Sequence, residues 1–479
     1  MKSLLLFSLT ASAVFAALPS VGPDYHRPGV SAPDAYRDSE YAGSWKVAAP
    51  NDELARGEWW RLFSDPALDE LEQRALAANL DLRAAAARVE QAAAAAGLAR
   101  SAYWPQVAVD PSVTREQASR STENRLPNDR TTTYRAPLVA SWELDLFGRV
   151  RRLTESARAD AGAALAEFES VRLALTSEVA ANYFSLRAAA RERLIVEQNI
   201  ALRRRALDLV QSRRATGTGS DLDVARAEAE LASTQAELSA VSRQQEMLHN
   251  ALAVLVGEHA SSFTLPPSNH TPVIPRVPLG LPSELLERRP DVAAAERALI
   301  AANARIGVAK AAFFPAISLT GSAGYASGEI DGLFRADSRA WSIGPSLYLP
   351  IFQGGRNRAN LERSRAAYDE SVAQFRQRVL VAFREVQDAL TAARLIDDER
   401  AAQDRASSAA QRAVQLATKR YEAGYVSFLE VLDAQRTALS ANRGTARLEA
   451  QRLNASVALL KALGGGWQAD PVGQVVAHH

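Results

Sequence analysis

Cysteine is absent from all 479 residues. That absence excludes disulfides, thiolate metal sites, a cysteine nucleophile and lipid attachment through a thioether. A surplus of either charge is missing too: 56 Lys and Arg face 55 Asp and Glu, and a net charge of +1 implies no bulk attraction to nucleic acid or anionic lipid. Aromatic residues make up only 7 % of the chain, and alanine supplies much of the 47 % apolar content. Runs such as Ala84–Ala87 and Ala92–Ala96 favour long, closely packed helices. Long apolar stretches are also lacking. After the first residues every apolar window is interrupted by Arg, Glu or Asp, so no helix of the mature chain is expected to cross a membrane.

The first residues indicate export. Lys2, the apolar stretch Leu4 to Phe15 and the small residues Ala16 and Ala17 read as a signal peptide over 1–16, cleaved after Ala16. A membrane anchor would need ~20 apolar residues, and this run ends at Pro19. An exported chain without a membrane helix is either soluble in the periplasm or beyond, or crosses a membrane as a β-barrel.

The chain repeats itself. Residues 213–227 align with 420–434 at an offset of 207, pairing Gly217 with Gly424, Leu222 with Leu429 and Val224 with Val431. The same offset pairs Glu178-Val179 with Glu385-Val386, while Tyr103-Trp104-Pro105 matches Phe313-Phe314-Pro315 at an offset of 210. Two copies of one unit are therefore expected, joined by a connector over 258–290 that holds seven prolines.

Proline and glycine are nearly missing from the middle of each copy. Arg151 to Thr216 contains no proline and only Gly162, and Arg356 to Ala423 contains neither. These stretches predict helices of 66 and 68 residues, each about 100 Å long at 1.5 Å per residue. Shorter helices are expected over 67–102, 220–256, 291–312 and 426–463, with reversals at Gly217–Ser220 and Gly424–Ser427. On the helices alone, a soluble periplasmic coiled-coil scaffold would read the same way.

Between the helices the period changes to two. In 133–147 the even positions are Tyr134, Ala136, Leu138, Ala140, Trp142, Leu144 and Leu146, and the odd ones include Arg135, Glu143 and Asp145. Residues 106–114, 315–325 and 340–352 alternate likewise, for example Trp341, Ile343, Leu347 and Leu349 against Ser342, Gly344, Ser346 and Tyr348. Each is about long enough for a tilted membrane strand of ~9–11 residues. Arg135, Glu143 and Asp145 would face a wet lumen. A soluble sheet alternates in the same way, but the aromatics near the strand ends (Tyr103, Trp104, Tyr325) and polar connections over 115–132 and 326–339 suit a barrel. Two hairpins give four strands, and barrels begin at about eight. Several chains would have to close one barrel, because open edges in lipid are prohibitive.

Five further motifs carry a resemblance. Val21-Gly22-Pro23-Asp24-Tyr25-His26-Arg27-Pro28, Phe147-Gly148-Arg149, Pro282-Ser283-Glu284-Leu285-Leu286-Glu287-Arg288-Arg289-Pro290-Asp291, Phe352-Gln353-Gly354-Gly355-Arg356 and Lys461-Ala462-Leu463-Gly464-Gly465-Gly466-Trp467 resemble NodT-type outer-membrane efflux proteins, members of the TolC-like outer-membrane factors. The resemblance implies a mainly α protein with a membrane β-barrel. It would be a homotrimer whose twelve-stranded barrel, four strands per chain, continues into a long periplasmic α-helical barrel, in the outer membrane of a Gram-negative bacterium. Such a channel is the exit duct of a tripartite multidrug efflux pump, with a periplasmic adaptor (membrane fusion) protein and an inner-membrane RND-type transporter as partners. A type I protein-secretion duct would use the same fold. Lipidated members carry an acylated Cys before the Val-Gly-Pro-Asp-Tyr motif, where this chain has Pro19-Ser20, so the barrel alone is expected to hold the membrane.

On this reading the chain divides into a signal peptide (1–16), an N-terminal equatorial segment (17–66), a first repeat with a hairpin (67–257, hairpin 104–147), the connector (258–290), a second repeat with a hairpin (291–464, hairpin 315–352) and an equatorial tail (465–479). Nothing catalytic stands out. The six histidines lack metal-ligand spacing, and no cofactor, metal or nucleic-acid partner is expected. The candidate site is a gate just beyond the helix reversals. Leu429, Asp433 and Arg436, at i, i+4 and i+7, share one helix face and match the family's periplasmic aperture, and the first repeat offers Asp221, Asp223 and Arg226 nearby. The turns at Gly217 and Gly424 are the expected adaptor contacts. Without the resemblance, Asp433 and Arg436 would read as an ordinary surface pair.

Overall fold

A computed structural model describes residues 20–29, 57–119, 130–267, 270–275 and 289–465. The signal peptide, residues 30–56, most of the 282–291 motif and the tail after 465 lie outside the described residues. In chain order the elements are α1 (Pro66–Ala78), α2 (Leu80–Ser101), β1 (Gln106–Val109), β2 (Ser112–Gln117), β3 (Arg130–Leu144), α3 (Arg149–Ala215) and α4 (Asp221–Leu255). After the connector come α5 (Pro290–Ala311), β4 (Ala316–Ser327), β5 (Arg339–Tyr348), α6 (Arg356–Glu422) and α7 (Phe428–Ala462).

The repeat returns with matched lengths. α2 and α5 both have 22 residues, α3 and α6 both 67, and α4 and α7 both 35. The single helix expected over 67–102 is two helices. Asn79 divides them, because its Oδ1 accepts the amide of Leu82 at 2.9 Å while its Nδ2 donates to the Leu255 carbonyl at 3.0 Å.

The chain contacts form two compact units, the first comprising 1–29, 88–165 and 294–376 and the second 30–87, 166–293 and 377–479. In the first, five antiparallel segments occupy four sheet positions, ordered β1/β2, β3, β4, β5. The one strand expected over 106–114 is interrupted at Asp110-Pro111, yet its register holds: Val109 opposes Leu138 and Ser112 opposes Arg135. The cause lies in Pro137. Asp110 N donates to Pro137 O at 3.1 Å, but Pro137 has no N–H to return, so the pair keeps one of its two bonds and the ladder lapses there, while Pro111 directs its ring nitrogen to the free edge. Across Pro137 on the other side stands Gly324. A Cβ at Gly324 would lie 2.3 Å from Ala136 O and 2.6 Å from Pro137 Cα, which leaves room for glycine alone.

The described part of the N-terminal motif is seated in this same unit. Val21 N donates to Phe147 O at 3.0 Å, Asn303 Nδ2 to Pro23 O at 3.0 Å, Arg152 to Asp24 at 2.7 Å and Tyr25 to Glu296 at 3.2 Å.

The second unit holds the main aliphatic and aromatic core: Trp59, Trp60, Phe63, Leu68 and Leu71 with Val179, Tyr183, Phe184, Leu252 and Leu460. Buried Asp65 organises its edge, accepting from Tyr183 Oη and Arg187 Nη1, each at 2.8 Å, and capping α1 through Ala67 N at 3.2 Å. Arg289 of the Arg-Arg-Pro-Asp motif ties three segments together, donating to Asp291 at 2.8 and 2.9 Å, to Glu385 at 2.6 Å and to the Ala462 carbonyl at 3.2 Å. One group runs against the core's chemistry. Glu72 is fully buried on the α1 face shared with Leu68 and Ala75, and neither of its carboxyl oxygens has a hydrogen-bond partner among the described residues. Burial pushes its pKa well above the ordinary value, with the charge of Asp69 adding to the shift.

Two predictions follow from these packing sites. Gly324→Ala should destabilise the sheet by about 1–3 kcal/mol, whereas Gly321→Ala, whose Cβ would meet nothing closer than 3.6 Å, should be tolerated. Heat denaturation of the two purified variants compares them directly. For Glu72, the folded state keeps the proton at pH values where the unfolded chain has released it, so stability declines as pH rises above the ordinary value of 4.5 and is undiminished below it. Glu72→Leu should therefore stabilise the protein more at pH 8 than at pH 4, measured by thermal unfolding in detergent at both.

Candidate functional site

The site lies within the second unit, where α3 turns into α4 and α6 into α7. Both turns are built alike. Gly217 (φ 76°) and Gly424 (φ 79°) adopt the left-handed conformation that glycine takes without strain. Thr218 N donates to Arg213 O at 2.9 Å and Tyr425 N to Arg420 O at 2.8 Å, with Gly217 N bonded to Arg214 O and Gly424 N to Tyr421 O, the paired bonds of a Schellman cap. On the far side of the first turn, Ser220 Oγ accepts from Leu222 N at 3.1 Å. Asp221 and Asp223 then sit in the first turn of α4, where the helix dipole favours negative charge.

The two reversals are fastened to each other. Arg213 donates to the Tyr421 carbonyl at 2.8 Å and stacks over the Tyr421 ring, 4.8 Å from its centroid. Tyr421, Phe428, Val431 and Leu432 join Val210 and Ala227 in a small buried core. Leu429 is left out of it, 40 % exposed, and the matching Leu222 of the first repeat is 56 % exposed. Asp433 is exposed as well.

The charged candidates divide by partner. Asp433 pairs only loosely with Arg436, at 3.7 Å, and Asp223 likewise with Arg226. Asp221 meets Arg214. Arg436, expected to share a pore-facing surface with Leu429 and Asp433, reaches instead across to Glu230 of α4, with Nε donating at 2.7 Å. Glu230 also receives Arg203 of α3, which is 5 % exposed and donates further to the Glu230 carbonyl at 2.8 Å and to Asn199 at 2.8 Å. Hydrogen bonds from Arg436, helped by the charge of Arg203, hold the Glu230 carboxyl below its ordinary pKa against the effect of burial.

The pairing continues along α7. Arg443 bridges Glu192 at 2.7 Å and Glu237 at 2.8 Å, and Arg447 reaches Glu192 at 2.8 Å. Arg436, Arg443 and Arg447, at i, i+7 and i+11, lie on one helix face. With Arg203, Glu230 and Glu237 they line a polar cleft of about 440 Å³. Sequence reasoning missed the acids of this set. Glu230 and Arg436 are 206 residues apart, and no local spacing announces the pair.

The three expected strand residues separate as well. Arg135 is exposed on β3 beside Ser112 and Ala326, on the polar face. Glu143 is on that same face, bound by Arg149 at 2.5 and 2.7 Å. Asp145 is not on a strand face. β3 ends at Leu144, and the buried Asp145 carboxylate accepts the amides of Val150 and Arg151 at 3.0 and 2.9 Å, an anion placed at the start of α3.

Comparison with known proteins gives one consistent result. Residues 71–258 and 281–465 match the family described as Outer membrane efflux protein. The chain is 37 % identical over 470 residues to Outer membrane protein OprJ of Pseudomonas aeruginosa, covering 97 % of this chain and 95 % of the relative. It is 36 % identical over 460 residues to the toluene efflux pump outer membrane protein TtgF of Pseudomonas putida, covering 94 % of each. The solved outer-membrane channel OprN superposes with a TM-score of 0.85 at 35 % identity, covering 94 % of this chain and all of that one.

The ion pairs make an asymmetric prediction. Glu230→Ala strands buried Arg203 without its carboxylate and should cost about 3 kcal/mol or more. Arg436→Ala removes a half-exposed partner and should cost no more than about 1 kcal/mol. Thermal unfolding of the two variants, side by side, reads the difference.

Proposed function

The chain belongs to the outer membrane efflux protein family, and from that premise we propose that it is the outer-membrane exit duct of a tripartite efflux pump. The observation that carries this reading is the two-faced sheet. Through the strand register, Val107, Ala140, Gly321 and Ile343 share one row, and Val109, Leu138, Ala323 and Trp341 the next. The opposite face presents Gln106, Ser141, Thr320 and Gly344, then Ala108, Val139, Ser322 and Ser342. An apolar outer face and a polar inner face are what a membrane barrel requires.

Closure sets the copy number. β1/β2 and β5 are the two free edges of a four-position sheet, and lipid offers their backbone groups no partner. Two chains would give eight positions and three would give twelve. The likeness to outer-membrane channels supports twelve and a homotrimer. The helices then form the periplasmic part of the duct, and the turns at Gly217 and Gly424 meet a periplasmic adaptor that bridges to an inner-membrane transporter. Three copies of exposed Leu429 and Asp433 would ring the narrow end, while Arg436, held by Glu230, fastens α7 to α4 behind them. Contact with the adaptor opens this end. Flow through the duct is transport, with no bond made or broken by the chain.

Two measurements test the proposal. The protein should fractionate with the outer membrane and run as an oligomer that heating dissociates. A soluble monomer would overturn the reading. In planar bilayers the wild type should rest mostly closed, and Asp433→Ala with Arg436→Ala should raise the open fraction several-fold. An unchanged closed fraction removes the gate from these residues.

A further inference from the structure

The apolar face of the sheet carries only three charged residues among the described strands. All three are arginines, Arg115, Arg130 and Arg339, and all stand toward the end where β2 connects to β3 and β4 to β5. The opposite face is mixed, with Asp110, Glu116, Arg135 and Glu143. The connection between β4 and β5 carries Glu329, Asp331 and Asp337 against Arg335, but these belong to a loop rather than to the strand face.

Register places the arginines relative to the apolar rows. Counting along β3 from Leu144, the apolar and aromatic rows run to Tyr134, which faces Val113 on one side and Ser327 on the other. Ten residues of tilted strand rise about 25 Å, the height of a hydrocarbon band. Arg115 lies one row further, opposite Thr132, and Arg130 one row beyond that, opposite Gln117. Arg339 is level with Tyr325, close enough to the rim for its long side chain to extend to the interface. Tyr325 stacks edge-on against Phe334 at 5.4 Å, and Tyr134 adds a third ring in the next row, an aromatic belt directly below Arg115 and Arg130 and level with Arg339. Arg115, Arg130 and Arg339 are all exposed, and Arg115 and Arg339 form no ion pair among the described residues.

We propose that Arg115, Arg130 and Arg339 form a binding surface for the phosphate groups of the outer-leaflet glycolipid, gripping lipid A around the outer rim of the barrel. Guanidinium groups bind phosphate in paired, charge-assisted hydrogen bonds; Arg115 and Arg130 stand just above the aromatic belt at headgroup height, and Arg339 reaches that height by extending from the belt's own row. Charge of one sign confined to one end of the lipid face fits a polyanionic leaflet, while the lumenal face needs no such bias. The inference rests on the membrane-barrel reading above.

The test uses the full-length oligomer in vesicles of phosphatidylcholine alone, of phosphatidylcholine with bisphosphorylated lipid A, and of phosphatidylcholine with dephosphorylated lipid A. The temperature at which the oligomer dissociates should rise with the bisphosphorylated lipid only, and inorganic phosphate added to the first vesicles should give no rise. In the variant Arg115→Gln, Arg130→Gln, Arg339→Gln the rise should disappear with the value in phosphatidylcholine unchanged. Arg135→Gln, on the opposite face, should keep it. A rise equal with dephosphorylated lipid A, or retained by the triple variant, overturns the proposal. If the triple variant does not assemble, the wild-type comparison of the two lipid A forms decides alone. Failure of the wild type to insert into any of the vesicles would overturn the barrel reading itself.

Discussion

Backbone hydrogen bonding at the edges of a four-position sheet governs the rest of this molecule. Within one chain β3 and β4 are paired on both sides, whereas β1/β2 and β5 each have a bare edge. In water such edges invite aggregation, and in lipid they are forbidden. β5 makes the matter acute. Trp341, Ile343 and Leu347 are between 65 and 78 % exposed along it, so a solitary chain would offer both an unpaired ladder and an apolar flank. Closure by further copies removes both faults together, and a closed sheet with a polar inside is already a pore.

The helices meet a different requirement. Their packing relies on small alanines and on arginine–carboxylate pairs rather than on a continuous apolar seam, and near the reversals the buried apolar set is only Val210, Ala227, Tyr421, Phe428, Val431 and Leu432. Beyond it the contacts of α7 with α3 and α4 combine a small apolar set, Leu439 with Val196 and Ile200, with the ion pairs of Arg436, Arg443 and Arg447. An apolar seam resists parting because water must enter it. The half-exposed guanidiniums of Arg436 and Arg447 exchange their carboxylates for water at lower cost than the buried Glu192 and Arg203 exchange theirs. Helices joined in this way can separate at one end while the aromatic core around Trp60, Phe63 and Phe184 holds them at the other.

Much of this was legible in the sequence because it depends on periodicity and on what is missing. The absence of proline and glycine outlined two helices to within two residues of their observed ends, and the parity of Trp142, Leu319 and Ile343 gave the lipid face. The expected aperture residues were harder. Leu429 and Asp433 are exposed as an aperture would need, but Arg436 turns to Glu230, a partner 206 residues away that only the folded register reveals. Asp145 looked like one more odd-numbered strand residue, and it became a helix cap because the strand stopped one residue earlier. The break beside Pro111 is invisible for a similar reason: Pro111 itself sits on an edge segment where a proline is tolerable, and only the folded register sets Asp110 opposite Pro137, which has no N–H to return. The motifs that carried the resemblance are largely structural. Asp24 and Pro23 seat the N-terminal segment, and Arg289 joins three segments.

Net charge proved the least informative number, because it averages segregated surfaces. One sheet face holds three cations at one end and no anion, the other holds both signs, and the α7 cleft pairs nearly every guanidinium with a carboxylate. Glu72 contributes a formal negative charge to the sum although its burial favours the neutral form and raises its pKa well above the ordinary value. The same averaging lowers the apparent hydrophobicity: an exposed apolar strand face is diluted by long helices that carry many exposed charged residues. A chain whose balance looks like that of an ordinary soluble protein can therefore be a membrane duct, provided each polar and apolar residue is assigned to a face before it is counted.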